Sequence, residues 1–320
     1  MMRVLVTGSD GFIGRTACLA LAERGHHVVA GTRSGGIVAG AHENRRLGDL
    51  AQPQETDHWV SNIDTIVHLA ARVHIMGKKS SDPLTAFRRV NVDGTRVLAE
   101  AAERNGVQRL VFLSTVKVNG EATTGRPFSE ADPPKPQDSY GKSKWEAEQV
   151  LTEIGSRGRL ETVVLRVPLV YGPGVRANFL SLLRLCDTKF PLPFGAIIDN
   201  RRSLLFVGNL ADAIAEALPH PSAAGKTFLV SDGTPVSTAE LVRTMRAALE
   251  RPARLWSLSP ALLRLTLSLV GKAAVADRLT GSLEIDTSAI LKELGWHAPW
   301  SVQAGIAATA AWYRSAEHYI

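Results

Sequence analysis

Short apolar runs rich in β-branched residues alternate with longer helical patterns through the first half of the chain. A run at 3–7 precedes a helical pattern over 12–24, then a run at 27–32 and a short strand expected near 46–49. Further runs at 65–70, 109–114 and 162–167 are separated by helical patterns over 83–105 and 140–154. Strands that are apolar throughout belong to a parallel sheet covered on both faces. The pattern predicts an α/β protein with a doubly wound, parallel-sheet Rossmann domain, and right-handed crossovers give the strand order 3-2-1-4-5-6.

The rhythm changes after Tyr171-Gly172-Pro173-Gly174. Short helices, turns at Pro191 and Pro193, and strands near 203–207 and 227–230 predict a smaller, mostly helical substrate domain. The expected division is 1–170 and 171–320, with about 203–235 returning to the first domain. Ser237 and Glu240 have the spacing of a capping box. The stretch 119–138, between a strand and a helix, is long enough to be a functional loop. The most apolar late window, 258–270, is broken by Pro260 and Arg264. It falls short of the roughly 20 apolar residues a membrane span needs. Packing inside the small domain is its expected role, with peripheral contact to a membrane as the alternative.

Composition narrows the class. The 320 residues are 45% hydrophobic and 21% charged, which excludes disorder and collagen-like repeats. The two cysteines, Cys18 and Cys186, cannot build a disulfide scaffold or a metal cage, so no metal and a cytoplasmic location are expected. The first strand run starts at Arg3, so no leader is expected before it. Lys and Arg total 37 against 31 acids, giving a net charge of +6. These cations are scattered among acids rather than gathered in a stripe, which argues against a nucleic-acid partner. A minority of the arginines is left to hold phosphate groups.

Gly8-Ser9-Asp10-Gly11-Phe12-Ile13-Gly14 follows the first strand and opens the first helix. Glycines there permit a tight turn and close backbone approach, so helix N-terminal amides can hold a pyrophosphate. The second strand of such a unit normally ends in an acid that binds the ribose 2′-hydroxyl. No acid occurs between Glu23 and Glu43, and the strand ends at Thr32 and Arg33. Arginine at that place suits a 2′-phosphate, so NADP(H) is preferred over NAD(H). Asp49 is a candidate partner for the adenine amino group, with a solvated turn residue as the equal alternative. Tyr140 and Lys144 stand at i, i+4 on one helical face, where an ammonium favours tyrosinate and fits the phenol for acid/base work. Ser114 and Thr115 supply hydroxyls at the end of the preceding strand.

Taken together, these segments resemble the extended short-chain dehydrogenase/reductases, the group of nucleotide-sugar epimerases, dehydratases and reductases. The likeness runs through the glycine loop, Gly48-Asp49-Leu50, His68-Leu69-Ala70-Ala71, Asn91-Val92-Asp93-Gly94-Thr95, Thr115, Tyr140 with Lys144, and Arg166 to Gly174. It continues in Arg202-Ser203-Leu204-Leu205-Phe206-Val207 and Leu294-Gly295-Trp296. The resemblance implies that Thr115, Tyr140 and Lys144 are catalytic, with Thr115 also on the substrate sugar. It implies cofactor contacts from Gly8, Gly11, Phe12, Ile13, Gly14, Arg33, Asp49, Leu50, Leu69, Ala70, Ala71, Asn91, Ser114, Tyr140, Lys144 and Pro168. A UDP-sugar would be gripped by Asn178 and Arg202, and a homodimer would form through the helices at 83–105 and 140–154.

Departures from the family pattern sort its reactions. Sugar 4,6-dehydratases carry an Asp-Glu pair after the threonine, and this chain has Val116 and Lys117, so that elimination lacks its proton carriers. The missing acid on the second strand, and Asn119 where epimerases commonly have tyrosine, favour a reductase of a UDP-4-keto-6-deoxy sugar in bacterial surface-polysaccharide synthesis. The alternative is a 4-epimerase acting on UDP-glucose, UDP-GlcNAc or a polyprenyl-linked sugar. A non-catalytic NADP(H)-sensing binder is the remote alternative, disfavoured by the retained tyrosine and lysine.

Overall fold

The computed structural model describes residues 1–52, 56–73, 82–269 and 271–316. Its strands are β1 (Arg3–Thr7), β2 (His27–Thr32), β3 (Glu43–Arg46), β4 (Thr65–His68), β5 (Arg109–Thr115), β6 (Glu161–Val167), β7 (Leu169–Tyr171), β8 (Leu204–Phe206) and β9 (Thr227–Leu229). The α-helices are α1 (Phe12–Glu23), α2 (Asp57–Val60), α3 (Pro83–Arg88), α4 (Gly94–Arg104), α5 (Ser139–Gly155) and α6 (Ala177–Cys186). They continue with α7 (Val207–Ala217), α8 (Thr238–Ala248), α9 (Pro260–Leu269), α10 (Ala273–Thr280), α11 (Ser288–Leu294) and α12 (Val302–Ala316).

Seven parallel strands form one sheet in the order β3-β2-β1-β4-β5-β6-β9. The order predicted for the first six holds. Alternation along each strand feeds two cores. Val4 and Val6 face Cys18, Leu21, Leu210, Ile214 and Ile290, from α1, α7 and α11. Leu5, Ile66 and Phe112 face Leu98, Ala147 and Leu151, from α4 and α5. With both faces covered, each central strand needs apolar residues throughout, as the sequence shows.

Two local expectations are corrected. The third strand lies at Glu43–Arg46, earlier than 46–49, because it is an edge strand paired residue for residue with Val29–Thr32. It has no apolar run to reveal its register. The helix expected over 83–105 is interrupted by a π-turn at Arg89–Asp93 between α3 and α4. The extra residue in that turn rotates Asn91 into the interior, where it is 1% exposed.

The remaining elements build a smaller unit. β7 and β8 pair in a separate two-stranded sheet, and Tyr171, Phe179, Phe206, Val242, Met245 and Ile306 pack around it. The capping box forms as spaced: Ser237 Oγ accepts from the Glu240 amide at 3.1 Å and Glu240 Oε2 from the Ser237 amide at 2.7 Å. The loop at 119–138 is stitched to the small unit, with Thr123 N donating to Ser282 O and Phe128 N to Glu284 O, both at 2.9 Å. The expectation that 258–270 packs inside the small domain holds for only one face of α9. Leu263 is buried, whereas Leu262, Leu265 and Leu269 are exposed; Val270 lies outside the described residues. Among the described residues no helix is long and apolar enough to cross a membrane.

Candidate active site

The glycine loop is shaped by contacts that only glycine permits. Gly8 has φ +66°, and a Cβ there would lie 2.9 Å from the Ala70 backbone. At Gly14 a Cβ would sit 2.2 Å from the Gly8 carbonyl oxygen, so α1 can begin against the loop only without a side chain. Gly11, the N-cap of α1, makes no side-chain cap, which leaves first-turn amides for an anion. A cavity of about 1060 Å³ opens here, at the C-terminal edge of the sheet.

Four loops line that cavity. Gly8, Gly11, Phe12, Ile13 and Gly14 come from the loop after β1, and Arg33 from the end of β2. Asp49 and Leu50 follow β3, and Leu69, Ala70 and Ala71 follow β4. The volume, the cradle without side chains and the uncapped helix fit a dinucleotide with its pyrophosphate on the glycines. Thr32, at the usual place of the ribose-binding acid, spends its hydroxyl accepting from the amides of Gly35 at 2.8 Å and Gly36 at 3.1 Å. Arg33 is exposed on the cavity wall. Asp49 Oδ1 accepts from the Ala51 amide at 3.1 Å, which holds its turn.

Asn91 is drawn away from the cavity lining. Its Oδ1 accepts from the Arg72 amide at 2.8 Å, and its Nδ2 donates to the Arg72 carbonyl at 3.0 Å and to Ser143 Oγ at 2.9 Å. It therefore pins the loop after β4 to α5. Beside it runs a buried relay whose proton positions follow from bookkeeping. Thr95 Oγ1 donates to the Asn91 carbonyl at 2.7 Å, so it accepts from His68 Nε2 at 3.0 Å. His68 Nδ1 then accepts from Thr7 Oγ1 at 2.7 Å, and that oxygen accepts from the Ala70 amide at 3.2 Å. Burial, with Lys144 nearby, pushes His68 down to about 3, so this histidine is a neutral strut under the cavity floor.

Thr115 ends β5 and caps a short 3-10 turn at Val116–Val118, its Oγ1 accepting from the Lys117 amide at 3.3 Å. The first turn of α5 rests on that turn, since a Cβ on Gly141 would lie 3.1 Å from the Lys117 carbonyl oxygen. Tyr140 sits in this first turn, half-buried, with its ring edge-on to Phe87 at 6.1 Å. Lys144, one turn on, is 2% exposed, and its Nζ lies 3.8 Å from the centre of the Phe112 ring.

Burial adds an influence on this pair that acts beside the expected effect of Lys144 on Tyr140. Burial raises the Tyr140 phenol above its ordinary value, and the Asp138 carboxylate adds to the rise. Burial pushes Lys144 down to about 7, with Glu148 opposing. For both groups desolvation is the largest influence, and helical spacing alone cannot show it.

Beneath this pair lies a buried network that sequence patterns did not reveal. Arg166 on β6 and Glu148 on α5 form an ion pair at 2.6 Å, with side chains 5% and 3% exposed. Ser114 Oγ donates to Glu148, and Arg166 Nη1 donates to Asn119 Oδ1 at 3.1 Å. Ser114 thus turns its hydroxyl inward. Asn119 is a member of this network and also donates to the Ser129 carbonyl at 3.1 Å.

On the small unit, Arg202 is half-buried and donates to the Gly281 carbonyl at 3.2 Å. Burial lowers its guanidinium, and Arg278 on α10 lowers it further. Arg202 and Arg278, cations from distant segments of which the second acts electrostatically on the first, suit a bound diphosphate. Arg278 was not expected from the sequence; an arginine in a helix packed on the Arg202 segment is the signal that only contact reveals. Asn178 is exposed in the first turn of α6, and Pro168 is buried between β6 and β7.

The sequence pattern of the NAD dependent epimerase/dehydratase family matches residues 4–231. Over 310 residues the chain is 41% identical to the UDP-glucose 4-epimerase of Vibrio cholerae, spanning 96% of this chain and 94% of that protein. Over 212 residues it is 30% identical to the N-acetyl-alpha-D-glucosaminyl-diphospho-ditrans,octacis-undecaprenol 4-epimerase of Escherichia coli O157:H7, spanning 65% and 62% of the two chains. Among solved structures, MoeE5 in complex with UDP-glucose and NAD aligns with a TM-score of 0.75 at 28% identity, covering 98% of this chain and 99% of that one. This chain is an enzyme of the NAD-dependent epimerase/dehydratase family, of the extended short-chain dehydrogenase/reductase type.

Proposed function

We propose that the enzyme is a UDP-hexose 4-epimerase, inverting C4 of UDP-glucose or its N-acetylamino counterpart. The observation that carries this reading is the 41% identity to a relative of that name along nearly the whole of both chains. The relatives with epimerase names support it better than the expected reduction of a UDP-4-keto-6-deoxy sugar, which would use the same three side chains. Lys117, held by Asp138 and Glu121, offers no base for the elimination that a dehydratase performs.

When bound, the nicotinamide supplies a reversible hydride acceptor at the sugar's C4. The chain handles the proton and the orientation. The Tyr140 phenolate takes the proton from O4 and returns it, while Thr115 orients that oxygen by hydrogen bonding. The charged form of Lys144 favours the phenolate and holds the nicotinamide ribose. Arg202 and Arg278 hold the diphosphate, and Asn178 is a further contact to the UDP-sugar. The test is proton NMR of the protein incubated with NAD and either UDP-glucose or UDP-GlcNAc. The C4 epimer should appear with no net change in reduced-cofactor absorbance. Stoichiometric oxidation of NADPH by a UDP-4-keto sugar, without epimer formation, would replace this reading with the reductase.

Arg202→Ala is expected to raise KM for the UDP-sugar by roughly 10- to 100-fold, the size of a lost charge-assisted hydrogen bond, with kcat changed far less. Initial rates over a substrate series measure it, and an unchanged KM would remove Arg202 from the diphosphate site. Arg33 carries the finer cofactor preference. Arg33→Ala is expected to weaken NADP(H) binding about tenfold while NAD(H) affinity stays within about twofold. Calorimetric titration with each cofactor checks this, and equal loss for both would reduce Arg33 to a stacking partner of adenine.

A further inference from the structure

Lys117 occupies a position where a dehydratase would carry a catalytic carboxylate, and its contacts give it another task. Its Nζ donates to Asp138 Oδ2 at 2.6 Å and to Glu121 Oε1 at 3.0 Å. Asp138 is also the N-cap of α5, its other oxygen accepting from the Gly141 amide at 2.6 Å. Tyr140 stands between that cap and that amide. The same turn rests on Lys117 a second time, because a Cβ on Gly141 would lie 3.3 Å from Lys117 Cβ.

Asp138 precedes Tyr140 and Lys144 follows one turn later, while Lys117 and Glu121 come from the segment after β5. From α3, Phe87 presents its ring, and Arg88 is turned to Glu146 on the outer side of α5. Burial acts to push the Lys117 ammonium down, but the hydrogen bonds to Asp138 and then Glu121 outweigh it and raise it above its ordinary range. Asp138 is the charge that adds to burial in raising the Tyr140 phenol.

We propose that Lys117 is a positioning residue for proton transfer at Tyr140: its ammonium clamps the Asp138 cap, fixing the first turn of α5 and cancelling the negative charge beside the phenol. The inference rests on Tyr140 being the proton carrier. It goes beyond that assignment by naming the pair that sets the phenol's environment. Removing a cation makes a phenolate harder to form, and removing a neighbouring carboxylate makes it easier. Removing both should leave the phenol near its starting point.

The test uses the full-length NAD-bound protein as Lys117→Met, Lys117→Arg, Asp138→Asn and the Lys117→Met/Asp138→Asn double variant. Asparagine keeps the capping oxygen, so the helix start is retained. The Tyr140 titration is followed by the Cζ chemical shift of labelled tyrosine, with Tyr140→Phe assigning the signal. In parallel, kcat and KM are measured against pH. Lys117→Met should move the titration up by about half a pH unit or more and shift the rising limb of kcat the same way, with KM within about twofold. Lys117→Arg should match the parent, Asp138→Asn should move the titration down, and the double variant should return close to the parent.

An unmoved titration in Lys117→Met, a shift that persists in the double variant, or a loss confined to KM would overturn the clamp. Should Lys117→Met fail to fold, the downward shift in Asp138→Asn and the parental behaviour of Lys117→Arg still decide it. If the titrations move as expected but the kcat limb does not follow, the clamp stands and the assignment of Tyr140 as proton carrier falls.

Discussion

Tyr140→Phe is expected to lower turnover by between about 10² and 10⁴, the range for removal of a general acid/base, while NAD affinity stays within about twofold. The ring survives the change, so its edge contact with Phe87 and the first turn of α5 are kept. What disappears is the oxygen proposed to take the proton from the sugar's O4 and give it back. The phenol is raised by burial and by Asp138, so turnover of the parent enzyme should climb with pH as the phenolate fraction grows. Tyr140→Phe should show no such rise. NMR turnover across a pH series, beside a cofactor titration, measures both. Parental activity in the variant would end the assignment, and loss of NAD binding would mean that the ring's place, not its proton, had been disturbed.

The second large effect concerns stability. Arg166→Met leaves the Glu148 carboxylate deep in the protein without its cation, although Ser114 still donates to it. Breaking one side of a buried pair costs about 3–5 kcal/mol, because the remaining charge has lost its partner and has no water to replace it. Asn119 loses its guanidinium contact as well, and with it one tie between the long loop and the sheet. Urea unfolding of parent and variant should show a lower midpoint with an unchanged slope. Arg166→Met/Glu148→Leu should recover most of the loss, since an apolar pair of similar volume needs no partner. A single variant as stable as the parent, or a double variant no better than the single one, would show that the pair contributes little.

The geometry of the glycine loop and of the α5 face was legible where it rests on neighbours along the chain. Gly8, Gly11 and Gly14 act through a turn and the start of the helix it feeds, both set by local backbone geometry, and the structure puts them on the cavity wall. Tyr140 and Lys144 share a helical face because the helix period places them there. The capping box at Ser237 and Glu240, and the order of the first six strands, follow from equally local rules.

Contacts between distant segments were not legible. Glu148 meets Arg166 and Asn119 joins them only because the sheet and α5 pack together, and the Arg278 charge acts on Arg202 only through the placement of α10. The edge strand β3 takes its register from β2, having no apolar run of its own. Asn91 turns inward through a π-turn that no residue pattern announced. Most consequential is the electrostatic state of Tyr140 and Lys144. The spacing suggested that the Lys144 ammonium would favour the phenolate. Burial acts on both groups, raising the phenol and lowering the ammonium. Ionisation depends on how much water the fold removes and on which charges it brings near, and for Tyr140 these include Asp138 and the Lys117 that clamps it. The family, and the residues proposed to carry the proton, were therefore legible in the sequence itself. Their charge states, and the partners that govern them, were decided by tertiary packing.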